Sequence, residues 1–462
     1  MRASEAIAFT VSLCVTTAEA QNLREAPLGA LSASLGQTGV AAPPEEGSAL
    51  LNPAAFAALD GDQLSLSTMV LTTASLPLEA ANPPPGELAR ESRGSGGVSY
   101  LPSSVAYGRA FGDRDLTVAG ALSVLIPTFE THTIVAHRQS GDDSGFELKA
   151  SDVERRLKRV YIGPSGALGF GSLRVGASLF FSVTQYAQNT LIASTVGDLT
   201  GVGGTLLGQI TDERQIFGLA GVAGAQLDVL DGFTLGLSVR SGLGALGGSA
   251  RLRALLRDAE ATRSTAARAE ETASTVDFPD PPQLRGGLAI RLAPRVILRA
   301  EAIVTLVLDD PTIGEFSLTL TNLRAGQPVL PQSNELEQRM TAQTSVNGSL
   351  GAQIGLTDTL ALNVGFLTDL SSSGPVKEDL PRDGDQPPVA FLRIPKIDRY
   401  WATLGVSFSA GALAIHAGAA GGLLFYKSSD IWSAGSETDQ IGVAARIFFS
   451  GGVSTERLLG ML

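Results

Sequence analysis

From residue 62 onward, apolar and polar positions alternate with a period of two in about fourteen segments. Across 233–240, Phe233, Leu235, Leu237 and Val239 fall on one side, and Thr234, Gly236, Ser238 and Arg240 on the other. Leu284, Leu288, Ile290 and Leu292 oppose Arg285, Gly287, Ala289 and Arg291, and Val296, Leu298, Ala300, Ala302 and Val304 oppose Arg299 and Glu301. Tyr400, Ala402, Leu404, Val406 and Phe408 alternate with Trp401, Thr403, Gly405, Ser407 and Ser409. The predicted strands are 62–73, 97–111, 115–128, 154–169, 172–187, 214–229, 232–245, 283–293, 295–306, 342–356, 359–369, 399–410, 412–426 and 440–450.

The gaps between these segments alternate between short and long. Tight turns such as Gly112-Asp113-Arg114-Asp115, Asp228 to Gly232 and Leu356-Thr357-Asp358 follow the even-numbered strands. Polar, Pro/Gly-rich connections of roughly twenty to forty residues follow most odd-numbered ones. A soluble sandwich has no reason to gather its long loops at one end. An even-numbered antiparallel barrel spanning the outer membrane does, with short periplasmic turns and long outer loops. The pattern therefore predicts an all-β, transmembrane antiparallel barrel of about 14 strands over 62–450.

Energetics assigns the faces. An Arg or Lys on the lipid side at mid-membrane costs roughly 2–4 kcal/mol, so Arg240, Arg285, Arg291, Arg299 and Glu301 are expected to face the lumen. Such a charged lining fits two uses, mutual salt-bridging that fills the barrel or a polar surface for a ligand head group or a plug.

Composition narrows the class. The net charge is −12 with a pI near 4.9, which argues against nucleic acid. Mean hydropathy is +0.18, yet no run of about eighteen apolar residues exists for a spanning helix. Residues 1–20 read as a secretory signal peptide, with Arg2, an apolar stretch from Ala6 to Val15, and small residues at Ala18 and Ala20 before Gln21. The single cysteine, Cys14, falls inside it, so the exported chain would carry no thiol.

Residues 21–61 lack the alternation and are rich in small residues, Gly and Pro, while Leu50, Leu51, Phe56 and Leu59 are too apolar for a free arm. They are expected to form an N-terminal plug, or hatch. Residues 451–462 form a short tail. Two outer connections stand out. Residues 188–213 are apolar for a loop, and 249–273, rich in Ala, Arg and Glu without Gly or Pro, should be helical.

Ala33-Ser34-Leu35-Gly36-Gln37-Thr38-Gly39-Val40-Ala41, followed by Ser48-Ala49-Leu50-Leu51-Asn52-Pro53-Ala54, resembles the amino-terminal segment of the FadL/TodX-type transporters of long-chain fatty acids and other hydrophobic compounds. Further similar stretches lie in order: Ala119-Gly120-Ala121-Leu122 to Pro127, Phe217-Gly218-Leu219 to Ser241, and Ile394-Pro395-Lys396-Ile397-Asp398-Arg399-Tyr400-Trp401. The resemblance implies a fourteen-stranded barrel with an amino-terminal hatch, passive uptake, hatch movement and sideways exit at a kinked third strand. Residues Asn52, Pro53, Ala54 and Phe56 then become hatch and gating candidates, and Gly120 the kink candidate, since glycine tolerates an interrupted ladder. Against these stand an ordinary Asx turn at Asn52 and an ordinary small residue at Gly120. The chain departs from the resemblance in its sparse aromatics (6%) and in the tail beyond Phe448 and Phe449.

Other chemistry is sparse. His132, His137 and His416 are scattered, no metal-ligand spacing occurs, and no nucleophile constellation or phosphate loop is visible. The expectation is a non-enzymatic channel without cofactor or metal, acting on hydrophobic small molecules such as fatty acids or hydrocarbons. It would sit as a monomer in the bacterial outer membrane among lipids and lipopolysaccharide, inserted by the barrel assembly machinery. The alternative is a structural or surface-presenting barrel without transport.

Overall fold

A computed structural model describes residues 28–454 except 79–87, 99–101, 114, 143–144, 199–200, 261–262, 273–274, 277–279, 307–311, 325–326, 329–331, 341–342, 373–388, 393–396 and 430–436. The expected signal segment with Cys14, most of the tail, Ile394 to Lys396 and the side chains of His132 and His137 lie outside the described residues.

Fourteen strands form the wall. They are β1 (Asp62–Leu78), β2 (Pro102–Gly112), β3 (Thr117–Asp142), β4 (Gly145–Phe170), β5 (Leu173–Asp198), β6 (Gly201–Leu230) and β7 (Phe233–Arg240). The second half comprises β8 (Gln283–Ala293), β9 (Val296–Thr305), β10 (Ser345–Gly355), β11 (Leu360–Asp369), β12 (Ile397–Ala410), β13 (Leu413–Ser429) and β14 (Glu437–Val453). Each pairs antiparallel with the next, and β1 returns to β14 from Leu64↔Val453 to Ser75↔Val443. That last ladder closes the barrel, so every wall strand has two partners and no edge meets lipid.

The alternation settles into two faces. On β7, Leu235, Leu237 and Val239 are exposed to the outside while Ser238 and Arg240 are buried within. On β12, Tyr400, Leu404, Val406 and Phe408 point out, and Trp401, Thr403 and Ser407 point in. Leu404, 56% exposed, lies in this outer belt. Leu404→Arg is expected to cost about 2–4 kcal/mol of folding stability in bilayers, read from urea-dependent refolding into vesicles. An unchanged midpoint would remove residue 404 from the lipid-facing belt.

The wall is uneven in height. Strands β3, β4 and β5 have 26 residues each and β6 has 30, whereas a tilted spanning strand needs about 9–11. Their upper parts continue as β-structure beyond the membrane band. This corrects two expectations about the outer connections. Residues 188–213 belong to the β5–β6 ladder, paired from Asn189↔Thr211 to Asp198↔Gly201. The segment predicted to be helical instead contains strands Gly244–Glu260 and Arg263–Thr272, paired with each other and, through the first, with the upper half of β6. Residues 204–219 of β6 extend past the end of β7, and their backbone donors and acceptors need a partner. That long-range ladder outweighs the local preference of an Ala/Arg/Glu sequence for helix.

Candidate functional site

Residues 28–61, the described part of the chain ahead of β1, pack against inward-facing residues of the wall. They comprise α1 (Ala30–Ser34), α2 (Ser48–Leu51) and a 3-10 turn (Pro53–Ala58). These pieces are too short to be stable alone, and they are held by hydrogen bonds to strands around the lumen. Thr403 Oγ1 of β12 accepts from Gly36 N at 3.2 Å and donates to Ser34 O at 2.9 Å. Glu301 Oε2 of β9 accepts from Gly39 N at 2.8 Å and Val40 N at 3.0 Å. Gln226 Nε2 of β6 donates to Val40 O at 3.0 Å and Ala42 O at 2.9 Å, and Ser238 Oγ of β7 donates to Leu51 O at 2.7 Å.

Asn52 belongs to both the segment and the wall. It is 1% exposed. Its Oδ1 accepts from Ala54 N at 3.2 Å, the cap of the 3-10 turn, with Pro53 in the first position where a missing N–H costs nothing. Its Nδ2 donates to Val40 O at 2.7 Å and to Ala225 O of β6 at 3.0 Å. The Asx turn and the wall attachment are thus properties of one side chain. Ala54 and Phe56 are buried, and Phe56 joins an apolar cluster with Leu50, Leu125, Tyr161, Phe180 and Leu243.

The predicted lumenal charges separate into three environments. Arg240 Nη2 stands 3.2 Å from Asp280 Oδ1, and the other carboxylate oxygen of Asp280 takes Arg159 Nη1 at 3.0 Å and the Tyr161 hydroxyl at 2.7 Å. Burial alone would push the Asp280 carboxyl up, but the Arg240 and Arg159 guanidiniums outweigh it and hold it below the usual aspartate range. Arg285 stands 3.8 Å from Glu301 and donates to Gln283 at 2.8 Å. Arg299 and Arg291 belong to a third region, where Arg299 is buried and Arg291 is exposed at the short-turn rim. Arg291 is thus the predicted lining charge that reaches solvent.

That region is a chamber of about 730 Å³ between the segment and the short-turn end. Pro43 and Pro44 form its roof, and Ile297, Arg299, Leu360 and His416 belong to its walls. His416 Nδ1 is 2.8 Å from Ser407 Oγ. In the segment beside it, Glu45 and Glu46 are both buried. Burial pushes both carboxyls up, helped at Glu46 by the charge of Glu45, and Glu46 reaches about 8.

Gly120 is paired in unbroken register with Arg109 on one side and Gly166 on the other. The register shift in β3 lies between Leu125 and Thr128, around Pro127, which has no N–H to give the ladder. The irregularity expected at Gly120 therefore belongs at 126–127. Sequence reasoning missed Asp280, Arg159 and Gln226. Gln226 was reachable, since it shares the inward parity of Ala220 and Val222 on β6. Asp280 was not, because it comes from a connection rather than from a strand.

The chain matches no protein-family model and no curated protein. Among solved structures it is similar to a FadL homologue from Pseudomonas aeruginosa, with 16% identity, 93% of this chain and 99% of that one covered, and a TM-score of 0.56. Its fold is the FadL/TodX type. The same FadL/TodX-type architecture appears in the toluene transporter TodX of Pseudomonas putida (14% identity, 92% and 98% coverage, TM-score 0.57). It appears again in the toluene transporter TbuX of Ralstonia pickettii (15% identity, 94% and 99% coverage, TM-score 0.53). At these identities the likeness concerns the FadL/TodX-type fold alone.

Proposed function

We propose that the chain is an outer-membrane channel for passive uptake of hydrophobic compounds such as long-chain fatty acids or hydrocarbons, with residues 21–61 as its hatch. The observation that carries this reading is the apolar patch inside the lumen. Leu50 and Phe56 of the segment meet Leu125, Tyr161, Phe180 and Leu243 of the barrel interior in one cluster. The cluster is packed shut while the segment is seated; moving the segment would bare it, and an apolar solute laid there would gain about 0.8 kcal/mol per buried methylene. A chain of about twelve methylenes would gain on the order of 10 kcal/mol and would not leave unaided. Release therefore needs a second, weaker state, and movement of the segment supplies one.

Asn52, Pro53, Ala54 and Phe56 act as the hatch seat, and the interrupted ladder at 126–127 is the sideways exit. The short-turn end faces the periplasm. Outer-membrane lipids surround a monomeric barrel inserted by the assembly machinery. The toluene transporters and the FadL homologue of like fold favour cargo of this kind. A surface-presenting barrel is the second reading, favoured by the tall β3–β6 wall. Uptake of radiolabelled oleate and of radiolabelled toluene, in cells lacking their own transporters, separates the two. Gain over empty vector is expected for at least one cargo. No gain for either, with surface display confirmed, leaves the presenting barrel.

A further inference from the structure

The chamber at the short-turn mouth is bordered by a buried cation that no described residue hydrogen-bonds, Glu45 acting on it through its field alone. Arg299 is 5% exposed on the inner face of β9 and borders the chamber. Its Nε and Nη1 atoms are shielded from solvent and hydrogen-bonded to nothing among the described residues. Two other arginines of the chamber wall are paired with carboxylates. Arg174 pairs with Asp228 at 2.6 Å and Arg295 with Asp358 at 2.8 Å. Of the nearby carboxylates, Glu301 is occupied by the backbone of Gly39 and Val40 and by Arg285, and Glu45 Oε2 accepts from Ser32 N at 3.2 Å. Glu45 feels the field of Arg299 without bonding to it. Arg291 adds a second positive charge at the rim.

We propose that this chamber is a binding site for the carboxylate of an amphipathic organic acid, with Arg299 as its anion receptor. A buried guanidinium without acceptors carries a large desolvation cost; turned toward the chamber, its planar fork would offset that cost by taking a carboxylate in two parallel N–H···O bonds. Leu31, Pro43, Pro44 and Ile297 also line the chamber and supply apolar surface for the remainder of such a molecule. The volume of about 730 Å³ lies within the range of small-molecule sites, roughly 300–1,000 Å³. His416 and Ser407, bonded to each other across β12 and β13, add polar surface elsewhere in the chamber lining. Because Pro43 and Pro44 of the segment form the roof, an occupant here touches the segment from below. The site stands on the geometry of the chamber. Only its use by transported cargo rests on the channel reading.

Calorimetric titration of the full barrel in lipid nanodiscs with hexanoate, hexanol and inorganic phosphate tests it. Hexanoate is expected to bind the unsubstituted protein and to weaken about tenfold or more in Arg299→Met. Partitioning of hexanol should be the same in both. Arg299→Met removes a buried charge at similar length, so the heat-modifiable mobility of the folded barrel should persist. Arg299→Lys, which keeps the charge but loses the fork, should fall between the two and serves as the second variant. Equal hexanoate binding in the parent and Arg299→Met, or binding in neither, overturns the assignment. Phosphate competing as well as hexanoate gives the site to a free inorganic anion and overturns it too. Failed uptake of both oleate and toluene in cells sinks the channel and leaves the titration standing. Retained uptake with no hexanoate binding sinks this site alone.

Discussion

Replacing Gly236 and Gly365 together by valine is expected to unseat the amino-terminal segment and convert a closed barrel into a leaking one. At both positions the wall is bare because the segment's backbone lies against it. A Cβ on Gly236 would come within 2.6 Å of the Val40 carbonyl carbon, and one on Gly365 within 2.5 Å of the Leu35 carbonyl carbon. Backbone atoms at those distances cannot yield by a rotamer change, so the segment must move. Within the wall the ladder itself is undisturbed, since valine suits a strand better than glycine does, and the one wall atom in the way is the Thr403 hydroxyl, 2.5 Å from a Cβ at position 365. Planar-bilayer recordings should therefore show steady conductance in the double variant, approaching that of a deletion of residues 33–59. A quiet bilayer from a folded double variant would refute the seating described for Val40 and Leu35.

The same displacement should follow alkalinisation. In the seated state Glu46 is pushed up to about 8 by burial and then by Glu45, whereas in a released, hydrated segment it would return toward its ordinary value of 4.5. Between those two values the seated state holds a proton that the released state lacks. Seating is thus firmest below the ordinary glutamate range and weakens as pH rises toward about 8, at roughly 1.4 kcal/mol per pH unit. Leak should rise over that window and rise less steeply in Glu46→Gln, where the raised carboxyl of Glu45 remains.

The second large effect concerns Asp280. Asp280→Ala leaves Arg159 and Arg240 buried with neither carboxylate oxygen to share, and removes the acceptor of the Tyr161 hydroxyl. Breaking a buried network in this way costs about 3–5 kcal/mol, which should appear as a lowered temperature for loss of the compact band on gels. The depressed carboxyl of Asp280 also carries a pH dependence of definite sign. Its contribution is complete above the ordinary aspartate range and is lost as pH falls through its lower, folded value. The parent barrel should therefore become more heat-labile in strong acid, and Asp280→Ala should lack that component. Replacing Asp280, Arg159 and Arg240 together by leucine and two methionines should recover most of the loss, since a matched apolar set needs no counter-charge. An Asp280→Ala variant as stable as its parent would mean that the two arginines are balanced from elsewhere.

The wall was legible in the order of residues because lipid on one side and a polar lumen on the other impose a period of two that needs no knowledge of neighbours. Leu235, Leu237 and Val239 against Ser238 and Arg240 carry that message within eight residues. The inward orientation of Arg240, Arg285, Arg299 and Glu301 followed from the same argument. What each charge does was not legible. Arg240 is matched by an aspartate forty residues away in a connection, Arg285 by Glu301, and Arg299 by nothing among the described residues, although all three share one alternation pattern. The helix expected over 249–273 failed for a related reason, because local preference cannot see that a long β6 offers a ladder partner.

By itself, then, the sequence determined which residues meet lipid, how many strands close the wall and at which end the turns are short. Those features depend only on spacing along the chain and on the cost of placing polar groups in hydrocarbon. The tertiary structure alone decided where the ladder of β3 is interrupted, which arginine is left without an acceptor, and how Asn52 ties the segment to β6. Ion pairing, close approach and cavity shape arise between residues far apart in sequence, and they exist only once the barrel has closed.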